Sequence, residues 1–367
     1  MRTARWTMCA LLLVACGPTQ PSDAGDVVAI DQSDDRADAF VPLDASLPDA
    51  AVDGASDGDA GNDAAIDARA EASAEASVEA GSGDAMAAVD PLIGIGTVEL
   101  VRGGFMFVEG PQWRASEGDL LFSDIPANVI RRLMGSAVTT FRQPSDNSNG
   151  LALDSAGRLY AAEHGSRSLT RTRADGTRET LASTFMEMGA ARRLNSPNDL
   201  IVRSDGTVYF TDPPYGIDPA SQQELSFNGV FRRSNAGALT AEWRGARTSR
   251  PNGIALSPDE RTLYVTDTAD GRVRAFDVSA DGALTNERTL ANTSGNPDGM
   301  TVDRDGNLFV TTQTGVQVFA PSGRLWGTIA VAMQPANCAF GDADARTLYI
   351  TARTALYRVR LARAGLY

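Results

Sequence analysis

Six stretches of this chain share one plan: a start residue with a side-chain oxygen, an apolar strand, a turn rich in Asp and Gly, and a returning strand. They read "EGPQWRASEGDLLFSDIP", "NGLALDSAGRLYAAEHG", "NDLIVRSDGTVYFTDPP", "NGIALSPDERTLYVTDT", "DGMTVDRDGNLFVTTQT" and "NCAFGDADARTLYITAR". The start residues are Glu109, Asn149, Asn198, Asn252, Asp298 and Asn337, separated by 40, 49, 54, 46 and 39 residues. Further short strands follow each hairpin, as in "SLTRT", "GVFRRS" and "VRAFDV". A repeat of about 40–50 residues with four short strands marks a β-propeller. Six copies predict six blades, and six copies in phase argue against a β-sandwich with coincidental turns. The last copy, "TLYITARTALYRVRL", stops after its third strand. Its fourth strand is expected from the start of the domain, "GTVELV", which would close the ring. The expectation is therefore an all-β, six-bladed β-propeller of four-stranded blades over residues 91–367.

The repeat also sorts the polar residues. The innermost strand of a blade runs from its polar start to the Asp-Gly turn, and the second strand returns to the same face. Rotation about the propeller axis then gathers the six start residues into a ring at one end of the central channel. Glu109 and Asp298 would repel each other there without a counter-charge. Two carboxylates with amide oxygens suit a hard cation, Ca²⁺ most simply, with Mg²⁺ or Mn²⁺ possible. Zn²⁺ is possible but fits less well, because the chain has one His, and Cys338 is the one Cys outside the leader region. A turn-forming role alone would account for Asn149-Gly150 and Asn252-Gly253, but not for Glu109, because Glu is not a turn residue.

The first 90 residues have a different character. The chain begins "MRTARWTMCALLLVACG". Arg2 and Arg5 precede an apolar run, Met8 to Ala15, that is too short to span a bilayer. Leu13-Val14-Ala15-Cys16 resembles the lipobox of bacterial lipoproteins, which implies a signal peptide over 1–15 and a lipid on Cys16; an ordinary secretory signal is the alternative. Gly17, rather than Asp, points by the same resemblance to the outer membrane of a Gram-negative cell. Residues 16–90 are then a disordered Ala/Asp-rich tether, too poor in large apolar residues to fold. Its part from 17 to 90 holds 18 acids and two Arg, a net charge of 2 − 18 = −16. The remainder holds 47 − 18 = 29 acids and 33 − 4 = 29 Arg, so the folded part is neutral. No basic patch favours nucleic acid. The membrane is met only through the N-terminal lipid, and the domain is expected to be monomeric. With Cys338 alone in the folded region, no internal disulfide can form there.

The stretches "EGPQW", "LFSDIPANVIRR", "NSNGLALD", "EHGSR", "RLNSPNDLIV", "FTDPPYGI", "RPNGIALSPDERTLYVTDT" and "NPDGMTVDRDGNLFVT" span all six repeats. Through them the chain, from about 97 to 363, resembles the gluconolactonase, senescence-marker-protein and luciferin-regenerating-enzyme family, nearest its bacterial gluconolactonase branch. The resemblance implies a divalent cation on Glu109, Asn252 and Asp298. It also implies that Asn198, beside Asp199, faces the cation's water or the substrate. The animal branch has an Arg two residues before that Asn, aimed at the sugar; this chain has Ser196.

The expected chemistry is hydrolysis of a sugar lactone. A cation makes the lactone carbonyl more electrophilic and water more acidic. Asp298, Asp199 or His164 could accept the proton of the attacking water. His164, the single histidine, is predicted at the end of a second strand on the ring face. It either shapes the pocket or works as an acid or base. Tyr215 is a pocket wall or a partner for a substrate hydroxyl, and Asn149 and Asn198 are candidate substrate contacts. The cation set is Glu109, Asn198, Asn252 and Asp298. Glu163 is expected to pair with Arg167 if it has an ion-pair partner. There is no G-x-S-x-G nucleophile elbow and no phosphate-binding G-x-x-x-x-G-K. A non-catalytic propeller that binds a sugar or protein, with a structural Ca²⁺, is the competing reading.

Overall fold

The computed structural model describes residues 89–217 and 222–366. Cys16, the signal peptide and the tether up to residue 88 lie outside the described residues. The described chain forms six four-stranded antiparallel sheets arranged as the blades of a propeller. Blade one is Val108–Arg114, Asp119–Asp124, Val129–Met134 and Ala137–Arg142. Blade two is Ser148–Leu153, Leu159–Glu163, Ser168–Thr172 and Arg178–Ala182. Blade three is Leu200–Val202, Val208–Asp212, Asn228–Arg233 and Leu239–Gly245. Blade four is Pro251–Leu256, Thr262–Asp267, Arg272–Val278 and Leu284–Asn292. Blade five is Pro297–Val302, Leu308–Thr312, Gly315–Phe319 and Leu325–Ile329.

Blade six carries the seam. Its own strands are Asn337–Gly341, Thr347–Ala352 and Ala355–Arg360, and Glu99–Gly103 supplies the outer fourth, with Glu99 opposite Arg358. The fourth strand expected from "GTVELV" is therefore in place.

Burial follows strand order within each blade. Second strands such as "VYFTD" (208–212) and "LFVTT" (308–312) are buried throughout, because both faces of the sheet meet neighbouring blades. Outer strands such as "AVTTFR" (137–142) are largely exposed. The core is thus a set of inter-blade contacts. Phe309 of blade five meets Phe340 of blade six edge-on at 5.1 Å, and Trp113 of blade one stacks with Tyr349 of blade six at 6.0 Å.

Two local devices aim the ring residues. In blades one, two, four and five the innermost pairing shifts register at the ring position, for example between Glu109 and Gln112 and between Pro297 and Met300. Such bulges turn a side chain out of the alternating pattern. The second device is hydroxyl stitching. Ser123, Thr211 and Thr266, near the ends of second strands, donate to the backbone oxygens of Asn149, Asn252 and Asp298 in the next blade, at 2.7, 2.7 and 2.6 Å.

The glycines that follow ring residues have a packing role that the sequence reading assigned to turns. A Cβ on Gly110 would lie 2.1 Å from the Asn149 backbone oxygen, and one on Gly253 would lie 2.5 Å from that of Asp298. The Glu109-Gly110 and Asn252-Gly253 pairs thus let neighbouring inner strands close up around the channel.

One element was not anticipated. A two-stranded hairpin, Thr184–Glu187 with Ala190–Arg193, lies between blades two and three. It is held by Phe185, whose ring meets Phe227 at 6.2 Å and Phe231 at 5.2 Å.

Candidate active site

All six start residues gather at the channel. Glu109, Asn149, Asn198, Asn252 and Asn337 are buried, and Asp298 is partly exposed. Three of the amides form a chain from blade to blade. Asn149 Nδ2 donates to Asn198 Oδ1, and Asn198 Nδ2 donates to Asn252 Oδ1 at 2.6 Å. Asn252 Nδ2 donates in turn to Thr268 Oγ1 at 3.1 Å and lies 3.5 Å from the Tyr215 hydroxyl.

The carboxylates crowd one another. Burial first, then the charges of Asp298 and Asp199, push Glu109 well above the ordinary range for Glu. Asp298 is pushed up to about 7 by burial, with Asp199 adding to the shift, and Asp199 is itself pushed up to about 7 by burial. A neutral-pH protein that keeps these groups ionised must supply positive charge.

The two candidate bases differ in their surroundings. Asp199 turns its carboxylate to the inner strands, accepting from Leu200 N at 2.9 Å, Ile254 N at 3.3 Å and Asn337 Nδ2 at 3.5 Å. Asp199 also borders a cavity of about 290 Å³ below the ring, walled by Leu151, Ile254, Met300, Asn337 and, from the C-terminal segment, Leu366. Asp298 is the more open of the two.

His164 is buried at the ring face, with Nε2 3.5 Å from Asn149 Nδ2. Burial lowers its pKa to about 4, so the ring is neutral near pH 7. Tyr215 is partly exposed, and burial of its hydroxyl raises its pKa. Glu163 does not pair with Arg167. It accepts from Thr170 and Ser166 at 2.7 Å each and pairs with Arg178 at 3.3 Å. Arg167 instead donates from Nε to the Leu194 carbonyl at 2.7 Å, held there by a left-handed backbone with φ 54°. Ser196 is buried, and its Oγ accepts from Gly216 N at 2.9 Å.

Thr268 and Gly216 were missed by sequence reasoning. Thr268 closes the repeat "YVTDT", two places after the stitching Thr266, and that position was readable in principle. The contact of Gly216 arises only from the packing of two blades.

The residues fit a hard cation. Among the described residues, no three His, Cys, Asp or Glu side chains gather closely enough to hold a metal alone. A cation held by Glu109 and Asp298 would need further oxygen donors, which water and the ring carboxamides can supply. Each such oxygen has a second lone pair beyond the one engaged by its neighbour. Soft-metal donors are poor, because the Cys338 thiol is buried and directed to the Phe309 carbonyl at 3.4 Å.

The relatives of this closed propeller mark it as a lactonase-type hydrolase. The chain belongs to the SMP-30/Gluconolactonase/LRE-like family, whose model matches residues 107–354. A gluconolactonase of Zymomonas mobilis is 36% identical over 303 residues, covering 74% of this chain and 83% of that protein. A solved gluconolactonase from Xanthomonas campestris is similar at a TM-score of 0.66 and 37% identity, over 72% of this chain and 89% of that one. A regucalcin from Agrobacterium tumefaciens, described as a calcium-binding protein, shares the fold at a TM-score of 0.63 and 19% identity, over 74% and 96% of the two chains.

Proposed function

We propose that the chain hydrolyses a sugar lactone at the ring, releasing a sugar acid. The observation that carries this is the convergence of Glu109, Asp199 and Asp298 with four carboxamides at one end of the channel. Glu109, Asn198, Asn252 and Asp298 would hold a divalent cation, with Ca²⁺ the first candidate. Such a cation supplies Lewis acidity toward the lactone carbonyl.

The chain's own groups do the rest. Asp298, the more open carboxylate, takes a proton from the attacking water as its oxygen bonds to the carbonyl carbon. The bond from that carbon to the ring oxygen then breaks, and Asp298 returns the proton to the departing oxygen. Asn198 and Asn149 orient the lactone, and Tyr215 walls the pocket within reach of a sugar hydroxyl. Asp199, saturated by backbone and amide donors, keeps the inner strands in register around the reaction.

The decisive experiment strips the protein with chelator and follows acid release from a panel of lactones with and without added Ca²⁺. Cation-dependent turnover is expected. Tight Ca²⁺ binding without turnover on any lactone would leave a binding propeller with a structural ion.

The leader adds a location to this reading. Lipid attachment at Cys16 would place the reaction at the cell envelope, outside the cytoplasm. Metabolic labelling with a radioactive fatty acid should mark the wild-type chain and not Cys16→Ala.

A further inference from the structure

The amide chain of the ring has a direction, and both of its ends are set by other residues. A carboxamide can be turned end for end with little change of shape, so its orientation depends on what it meets. At the far end, Thr268 Oγ1 donates its proton to the Pro297 carbonyl at 2.7 Å. Its oxygen can then only accept, and the Asp298 carboxylate, which also hydrogen-bonds the Asn252 side chain, is a second acceptor on that side; together they fix Asn252 with Nδ2 toward Thr268 and Oδ1 toward Asn198. That in turn fixes Asn198 and then Asn149 in the same sense. At the near end, Asn149 Nδ2 meets His164 Nε2 at 3.5 Å. An amino group calls for an acceptor there, so Nε2 is bare and the ring proton lies on Nδ1.

The imidazole is held in this place by packing. Nδ1 is buried and has no hydrogen-bond partner among the described residues, so no carboxylate or carbonyl orients the ring from behind. Gly216 does so instead. Its backbone is outside the left-handed region, and any residue could adopt it, but a Cβ there would lie 2.3 Å from Ser196 Oγ and 2.6 Å from His164 Cβ. Ser196 grips Gly216 N at 2.9 Å and donates its own N to Asp212 Oδ1 at 2.7 Å. The loop after the second strand of blade three is thus clamped flat against the histidine.

We propose that His164 and Thr268 are positioning residues. They close the two ends of a one-way amide relay that runs through Asn149, Asn198 and Asn252, and Gly216 with Ser196 sets the histidine end. The relay fixes which edge of each carboxamide is oxygen and leaves the second lone pair of Asn198 and Asn252 Oδ1 for the cation of the proposed function, and the inference rests on that reading for its consequence in catalysis. It does not rest on it for the geometry.

The single histidine makes the test clean. Imidazole ¹⁵N spectra of the labelled full-length chain should show a neutral ring protonated on Nδ1. Thr268→Val/Asp298→Leu, which removes both far-end acceptors, should shift the imidazole signals although it touches no atom of His164. Ser196→Ala should shift them from the near end, which serves where Gly216→Ala fails to fold. On a lactone that the wild type hydrolyses, Thr268→Val and His164→Leu should each lower kcat at least tenfold. Thr268→Ser and His164→Gln should restore most of it, and the double variant Thr268→Val/His164→Leu should be no worse than the poorer single one. Imidazole signals indifferent to Thr268→Val/Asp298→Leu, or a ring protonated on Nε2, would overturn the relay. Absence of turnover in the wild type would defeat the lactonase reading alone, and the spectra would still decide the relay.

Discussion

Gly299 lies so close to Asn337 that a methyl group on its Cα would stand 2.1 Å from the Asn337 Cγ. Asn337 cannot yield freely, because its Oδ1 accepts from Cys338 N at 2.8 Å and its Nδ2 reaches Asp199. Gly299→Ala should therefore destabilise the domain by about 1–3 kcal/mol through overpacking. Gly103→Ala meets only the Thr354 carbonyl, at 3.9 Å, and serves as a control expected within about 0.5 kcal/mol of wild type. Urea denaturation of the two variants separates the cases.

Removing one of the crowded carboxylates should trade function for stability. Asp298→Asn keeps the shape of the side chain and removes a charge that raises Glu109. Turnover should fall by about 10²–10⁴, the usual worth of a positioned proton acceptor. In chelator-treated protein the thermal midpoint should rise. A fall in both would mean that the carboxylate is structural.

The same crowding predicts how the cation-free protein responds to pH. Asp298 and Asp199 are raised to about 7, and Glu109 is raised well above its usual value. Their contribution to stability is fully present below the unfolded carboxylate value of about 4, and is lost as pH rises through about 7. The midpoint of stripped protein should thus decline between about pH 4 and pH 7. Added Ca²⁺ should restore it, with affinity increasing with pH and protons released on binding. Calorimetry in buffers of different ionisation enthalpy counts those protons.

The stitching hydroxyls give a fourth expectation. Thr211 Oγ1 donates to the Asn252 carbonyl at 2.7 Å and accepts from Asp199 N at 3.1 Å. Thr211→Val leaves both groups unpaired in a buried place, at a cost of about 1–3 kcal/mol. Ser in this position keeps the oxygen, and Thr211→Ser should recover most of the loss in the same denaturation experiment.

The ring was legible in the chain because rotation converts a sequence repeat into a circle. Glu109 and Asp298 could be put at one channel end before any coordinates, and so could the origin of the closing strand. What escaped has a common cause. The hairpin at 184–193 was hidden inside the 49-residue spacing between Asn149 and Asn198, nine residues longer than the one before it. The reach of the Asp199 carboxylate to Ile254 N and Asn337, the pairing of Glu163 with Arg178 and the pressure of Gly216 on His164 are contacts between strands or loops from different places in the chain. Residue type and spacing name the participants in such contacts but not the side from which they meet.

The seam in blade six decides where mechanical load enters the domain. Tension from the N-terminal side meets first Leu92, Ile95 and Val98, which pack on a core cluster shared by blades five and six, and the bond from Gly96 N to the Arg360 carbonyl at 2.8 Å, before it reaches the outer strand Glu99–Gly103 and its pairing with Ala355–Arg360. That strand lies in the same sheet as Asn337, a member of the ring, with two strands between them. A pull at the N-terminal side is therefore shared between blades five and six, and the apolar anchor ahead of the closing strand shields the channel from it.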